Sequence, residues 1–173
     1  QATLLSSLDE EAVKDIKDFV ILCDMGSGQP EVLKKFKNAI IIDHHKPMEE
    51  KTDFLQVNPH MAGIDGAFEL SASGTAYAVA RQLDPLNVDL AGLAITGITG
   101  DKQQMIGANK DILNEAIERG VVSAELDLVT GDGTLQEILE FNCEPYLDFT
   151  GEHEKIEEFL KQLRLEGSRN YRQ

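Results

Sequence analysis

The sequence predicts an α/β protein, a parallel sheet with flanking helices, followed by a small α+β appendage. Two continuous apolar runs, Phe19-Val20-Ile21-Leu22-Cys23 and Ala39-Ile40-Ile41-Ile42, each stop abruptly at polar residues, as strands buried on both faces do. Between them Pro30 opens a helical stripe of Val32, Leu33 and Phe36, Pro being suited to the first helical position. Strand, helix and strand in that order make a βαβ unit, which implies parallel pairing and a right-handed crossover. After Gly120 the pattern changes to alternation, a turn and amphipathic helices, and a boundary there divides the chain into 1–120 and 121–173.

The remaining elements follow in order. Ser7 and Glu10 have capping-box spacing before a short helix reaching about Ile16. Phe54 to Val57 predicts a third strand, stopped by Asn58-Pro59, and the small residues of 60–69 a loop. Ser73 to Leu83 predicts a helix of small residues, and Asp84-Pro85-Leu86-Asn87 links it to another over about 89–99. That second helix is apolar nearly all round, which predicts full burial. Asn109 is placed to cap a helix with the stripe Ile112, Leu113, Ala116 and Ile117, closed by Gly120. Beyond it, Val121 to Val129 alternates as a strand does. Thr134 and Glu137 form a second capping box before a helix to about Phe141, and Glu152 to Leu163 is amphipathic.

Composition narrows the function. The chain has 173 residues, 42% hydrophobic and 27% charged, with a net charge of −15. No apolar run approaches the roughly 20 residues of a membrane-spanning helix. The start, Gln1-Ala2-Thr3-Leu4-Leu5, has no basic region of the signal-peptide kind and reads as the interior of a longer polypeptide. Two cysteines, Cys23 and Cys143, make no disulfide framework, so we expect a reduced, cytoplasmic protein with Cys23 a buried thiol. Lys and Arg normally grip a phosphate backbone. An acidic chain that handles nucleic acid must take its positive charge from metal ions or from another part of the protein.

The chemistry-bearing residues stand at strand and helix ends. In open α/β sheets ligands bind beyond the carboxyl ends of the strands, and here two consecutive strands end in Asp24 and in Asp43-His44-His45. Parallel neighbours about 4.8 Å apart bring these groups together. Mixed carboxylate and imidazole donors suit Mn²⁺, Zn²⁺ or Fe²⁺. Asp101 closes the apolar helix, where an acid is costly without a cation, and is a third candidate ligand. An Asp after a strand also forms turns and caps, and paired histidines also occur as solvated loop residues. Gly26-Ser27-Gly28 has two glycines of a dinucleotide fingerprint, but Glu31 stands where the third belongs. The helix start Ser71-Ala72-Ser73-Gly74-Thr75 either binds an anion through its amides or simply caps and packs.

Taken together these motifs resemble one family. Ile40-Ile41-Ile42-Asp43-His44-His45 looks like the Asp-His-His signature of the DHH phosphoesterases, and Leu22-Cys23-Asp24-Met25-Gly26 resembles the Asp motif before it. Ser73-Gly74-Thr75-Ala76 and Thr99-Gly100-Asp101 resemble the family's later motifs, in matching order over about residues 18–120. Within the family, the 91–101 helix and Glu144-Pro145-Tyr146-Leu147-Asp148 are most similar to archaeal RecJ-like nucleases, including the GINS-associated nuclease. The resemblance implies that Asp24 bridges two Mn²⁺ ions (Mg²⁺ being the alternative) and that His44 and Asp101 complete the second site. It also implies that His45 contacts the scissile phosphate, that Asp43 holds a His ring, and that Ser73, Gly74 and Thr75 bind a substrate phosphate. The implied reaction is two-metal hydrolysis of single-stranded DNA or RNA.

The chain departs from the family pattern at two points. The first motif, of His-x-Asp-x-Asp type, has no counterpart in residues 1–23, and the C-terminal substrate-binding domain with its Gly-rich His motif is missing. We therefore expect half of the metal site and, for this chain alone, little activity. The competing readings are an inactive replication scaffold and a phosphatase of small phosphoesters or oligonucleotides. The acidic segment 121–173 is the expected docking element for GINS, through Ile156, Phe159, Leu160 and Leu163 on one stripe of the last helix; the alternative is that this stripe packs on its own domain, as most amphipathic helices do.

Overall fold

The structure, a computed structural model, describes residues 3–5, 7–14, 16, 19–48, 52–125, 133–142 and 146–168. It divides into two compact units, Gln1–Ala124 and Glu125–Gln173.

In the first unit a short helix α1 (Glu10–Val13) precedes strand β1 (Phe19–Cys23), helix α2 (Pro30–Leu33) and strand β2 (Asn38–Ile42). Strand β3 (Leu55–Val57) and a 3₁₀ turn (Pro59–Ala62) lead to α3 (Ala72–Leu83). A second 3₁₀ turn (Asn87–Leu90) runs into α4 (Ala91–Gly100), and α5 (Gly107–Glu118) follows. The sheet has the order β1-β2-β3, parallel throughout. Its register pairs Cys23 with Ile42 and Ile42 with Val57, so the three strands end in one row.

Two apolar clusters hold the unit. Leu8, Val13, Leu22, Leu33, Phe36, Ala39 and Ile41 pack together on one face of the sheet. Leu70, Tyr77, Ala91, Ala94, Ile98, Ile112 and Ala116 join α3, α4 and α5. At residues 19–23 the expected burial on both faces does not occur. Leu22 is buried, but Phe19 and Ile21 are 57% and 55% exposed and Cys23 is an exposed free thiol. The reason is position: β1 is an edge strand and its second face has no cover among the described residues. Likewise α4 buries Ala91, Ala94 and Ile98 but leaves Leu93 exposed.

Several local expectations change. Ser7 donates to Asp9 (2.7 Å), and α1 ends at Val13. Asn109 lies inside α5, whose N-cap is Ile106. Gly120 closes α5 as predicted, with φ 69, and Val121 N–H bonds back to Ala116 carbonyl (2.8 Å). Residues 121–125 form no strand. Val121 and Val122 pack instead on the α3–α4–α5 cluster, and the rest of the predicted strand, like Cys143, lies outside the described residues.

In the second unit α6 (Leu135–Phe141) begins with the full capping box of Thr134 and Glu137. Helix α7 (His153–Gln162) packs against it. Ile156 and Leu160 are buried, 0% and 3% exposed, and the Phe159 ring stacks at 4.8 Å on Phe149. The stripe expected to meet a partner thus closes its own unit, which corrects the assignment of Ile156 and Leu160 as docking residues; Leu163 alone of the four is exposed.

Candidate metal centre

Because the strands share a register, the residues that follow them share the carboxyl edge of the sheet. Asp24 N–H donates to Ile42 carbonyl (2.9 Å) and Asp43 N–H to Val57 carbonyl (3.1 Å), extending each ladder by one bond. Asp24 has φ 63, a left-handed conformation that short Asp and Asn side chains tolerate best. It turns the chain sharply off β1 and leaves the carboxylate exposed.

Asp43 is 1% exposed. Its Oδ2 accepts the Ser27 amide (2.9 Å), and its Oδ1 accepts the His44 amide (2.8 Å) and the His45 amide (3.2 Å). The same Oδ1 lies 2.8 Å from His45 Nδ1. Burial pulls the carboxyl upward, but these bonds from His45 and Ser27 outweigh it and hold Asp43 below the usual carboxylate range. Asp43 is therefore the brace of the turn. Ser27 is itself held by Asn58, whose Nδ2 donates to Ser27 Oγ (3.0 Å) and to the His45 carbonyl (2.9 Å).

His44 is buried, 8% exposed. Its Nδ1 lies 2.7 Å from the Gly66 carbonyl oxygen, an acceptor that requires the proton on Nδ1. The Nε2 lone pair is thereby free, and Nε2 lies 3.3 Å from Asp24 Oδ1 and 3.5 Å from Asp101 Oδ2. Asp101 arrives from α4, where it is the C-cap. Asp24, His44 and His45 each offer a ligand atom, all within 4.8 Å of one another. Ligands about 2.0–2.2 Å from one ion stand roughly 3–3.5 Å apart when adjacent, so the spacing around His44 Nε2 fits a shared cation. The mixed donor set of carboxylate and imidazole fits a divalent ion such as Mn²⁺, Zn²⁺ or Fe²⁺.

His45 is more open. Its ring meets that of His44 edge to face at 4.4 Å, and its Nδ1 is 3.9 Å from Asp24 Oδ1. The hydrogen bond to Asp43 raises its pKa, with the charges of Asp43, Asp24 and Asp101 adding to it and partial burial opposing.

Ser73, Gly74 and Thr75 have local partners. Ser71 caps α3 by accepting the Gly74 amide (3.1 Å), Thr75 Oγ1 donates to Ser71 carbonyl (2.9 Å), and Ser73 Oγ donates to Ala94 carbonyl (3.0 Å). A Cβ on Gly74 would meet Leu70 Cδ1 at 2.6 Å. These residues cap and pack α3.

Three residues essential to this geometry carry no motif. A Cβ on Gly66 would lie 2.0 Å from the His44 carbonyl oxygen, so only glycine brings its own carbonyl to His44 Nδ1. Gln103 Nε2 donates to that same Gly66 carbonyl (2.8 Å), and Asn109 Nδ2 donates to Gln103 Oε1 (2.8 Å). Of the three, the sequence singles out only Asn109, and there as a helix cap.

The model of the DHH family, N-terminal domain, matches residues 2–98. Over 180 residues the chain is 36% identical to the uncharacterized protein MJ0831 of Methanocaldococcus jannaschii, a match covering 95% of this chain and 41% of that relative. The chain thus spans about two-fifths of that relative's length. A crystal structure of exonuclease RecJ bound to manganese overlaps with a TM-score of 0.45 and 22% identity, over 68% of this chain and 32% of that one; this likeness carries no functional assignment. The family match, by contrast, takes in the βαβ unit and the Asp-His-His turn whole, and the chain belongs to the DHH family.

Proposed function

We propose that this chain is part of a metal-dependent, RecJ-like phosphodiesterase that hydrolyses single-stranded nucleic acid. The observation that supports it is the His44 ring, whose Nδ1 is committed to Gly66 while Nε2 faces two carboxylates at 3.3 and 3.5 Å. Asp24, His44 and Asp101 would hold Mn²⁺ there, with His45 as a further ligand or phosphate contact. A bound divalent ion supplies Lewis-acid activation of water and neutralises developing phosphoryl charge. The chain's own residues do the rest. Asp43 orients the His45 imidazole and favours its protonated form, which suits it to a phosphate oxygen, and the exposed Asp24 carboxylate leaves the metal position open to solvent and substrate. The Ser73 amide in the first turn of α3 is the further phosphate contact on this reading, the Gly74 and Thr75 amides being taken by Ser71.

On this reading the ligands of a first metal lie outside residues 1–173, and the chain alone degrades single-stranded DNA at close to background rate with Mn²⁺. Robust degradation abolished by His44→Ala would remove the missing-half argument. The test of the function is Mn²⁺-dependent hydrolysis of single-stranded DNA and RNA by the full-length protein. Hydrolysis of pyrophosphate or dinucleotides alone would favour the small-phosphoester reading, and Mn²⁺ binding without hydrolysis the scaffold.

Association with GINS through residues 121–173 is the second part of the proposal and rests on the family resemblance and the acidity of that segment. With Ile156 and Leu160 buried, the surface left to a partner includes Phe141, Tyr146, Leu163 and Leu165, all exposed. Loss of GINS co-purification on replacing Tyr146 and Leu163 would support it, and unchanged co-purification would remove it.

A further inference from the structure

We propose that Gln103, locked in one orientation by Asn109, is a positioning residue for the metal centre, an inference that rests on reading Asp24, His44 and Asp101 as ligands. The device begins at the end of α4. Lys102 takes φ 55, and the amides of Lys102 and Gln103 bond back to Thr99 carbonyl (3.0 Å) and Ile98 carbonyl (3.1 Å). This is a Schellman turn. It places Asp101 and Gln103 on either side of a reversed residue, both beside His44.

The Gln103 amide then reaches three members of the site. Its Nε2 donates to the Gly66 carbonyl (2.8 Å), stands 3.4 Å from Asp101 Oδ2 and lies 3.3 Å from His44 Nδ1. The Gly66 oxygen, with two lone pairs, accepts from both His44 Nδ1 and Gln103 Nε2, so the group that sets the His44 tautomer is itself held in place.

Which end of the amide faces the site is decided by Asn109, a wholly buried side chain on α5. Its Oδ1 accepts the Ser71 amide (3.4 Å), which turns its Nδ2 toward Gln103 Oε1 (2.8 Å) and Gln104 carbonyl (3.3 Å). A flipped Gln103 would set its amide nitrogen against the Asn109 amide nitrogen. It would also set its oxygen against the Gly66 oxygen and the Asp101 carboxylate. Both encounters are repulsive, so one orientation survives. The chain of contacts runs from the cap of α3 through Asn109 and Gln103 to His44 and Asp101, and such outer partners tune metal affinity about 10–100-fold.

The experiment is Mn²⁺ titration of the full-length protein, read by the electron paramagnetic resonance of free Mn²⁺, with thermal unfolding of the metal-free protein alongside. Gln103→Met keeps length and removes the amide; we expect about tenfold weaker Mn²⁺ binding with the unfolding temperature unchanged. Asn109→Asp cannot donate to Gln103 Oε1, so it should weaken binding similarly and add nothing when combined with Gln103→Met. If the buried Asn109→Asp destabilises the fold, Gln103→Met decides alone. Affinity of Gln103→Met within twofold of the unsubstituted protein, or additive losses in the double variant, would overturn the inference. Equal Mn²⁺ binding by His44→Ala and the unsubstituted protein would instead overturn the metal centre itself.

Discussion

His44 Nδ1 and the Gly66 carbonyl oxygen, 22 residues apart in sequence, meet at 2.7 Å, and this one bond decides which imidazole nitrogen faces the carboxylates. Gly66→Ala is the direct probe. The added Cβ would fall 2.0 Å from the His44 backbone oxygen, so the 60–69 loop must shift. We expect a stability loss of about 1–3 kcal/mol from overpacking, seen in urea unfolding, together with weaker Mn²⁺ binding. Unaltered unfolding and affinity would show that the loop accommodates the methyl group.

Asp43 makes a complementary prediction. Asn at this position keeps one acceptor and sets an amide group against the Ser27 amide or the His45 ring nitrogen. Asp43→Asn should cost roughly 1–3 kcal/mol for the buried donor left unmatched. The sign with pH follows from the lowered Asp43 pKa. Its contribution is fully present above the ordinary carboxylate pKa and is lost as pH falls through the folded-state value. The stability gap between the unsubstituted protein and the Asp43→Asn variant should therefore narrow in acid, and a gap constant down to strongly acidic pH would contradict it.

Much of this site was legible in the sequence, and its limits have physical causes. Apolar runs ending in Asp24 and Asp43-His44-His45 locate strand ends, and parallel register then brings them together without further information. The same runs misled about β1, since an apolar strand reads alike whether one face or both are covered. Cys23 was misjudged with it. Gly66, Gln103 and Asn109 were illegible because their roles arise from tertiary contacts, Gly66 with His44 across 22 residues, Gln103 with Gly66 across 37 and Asn109 with Ser71 across 38. The stripe of α7 was correctly placed on one face, but periodicity does not say whether that face meets its own domain or another protein.

That ambiguity yields a test. Ile156→Ala should destabilise residues 125–173 by about 2–5 kcal/mol, the usual cost of a buried cavity, and lower the helix signal of α6 and α7. Leu163→Glu, at an exposed position, should leave helix content and melting unchanged while weakening any GINS association. If Ile156→Ala is neutral in circular-dichroism melts, the stripe is not the core of this unit.

His153 gives the second unit a pH dependence. Its Nδ1 lies 3.0 Å from Glu140 Oε2 and its Nε2 3.9 Å from Glu157 Oε1. Gln136 is in reach of the ring, and Glu154 adds its charge. The hydrogen bond to Glu140 leads the causes that raise its pKa. A raised histidine contributes fully below its unfolded value, near 6.5, and loses the contribution as pH climbs through the folded value. Hydrogen exchange in α7 should accordingly slow between about pH 8.5 and about pH 5.5, a window bracketing that value, after correction for intrinsic rates. Glu140→Gln should remove that difference; a difference that survives would assign it elsewhere.

The exposed side of β1 has a consequence for the molecule in solution. Phe19, Ile21 and Cys23 form an apolar row beside backbone groups that no described strand pairs, the geometry on which copies of a chain add to one another. Opposing it is the net charge of −15, whose repulsion reaches about 10 Å at 0.1 M salt but only about 3 Å at 1 M. Colloidal stability should therefore fall as salt rises. Light scattering across a salt series, with and without Ile21→Lys, reads the balance between the two.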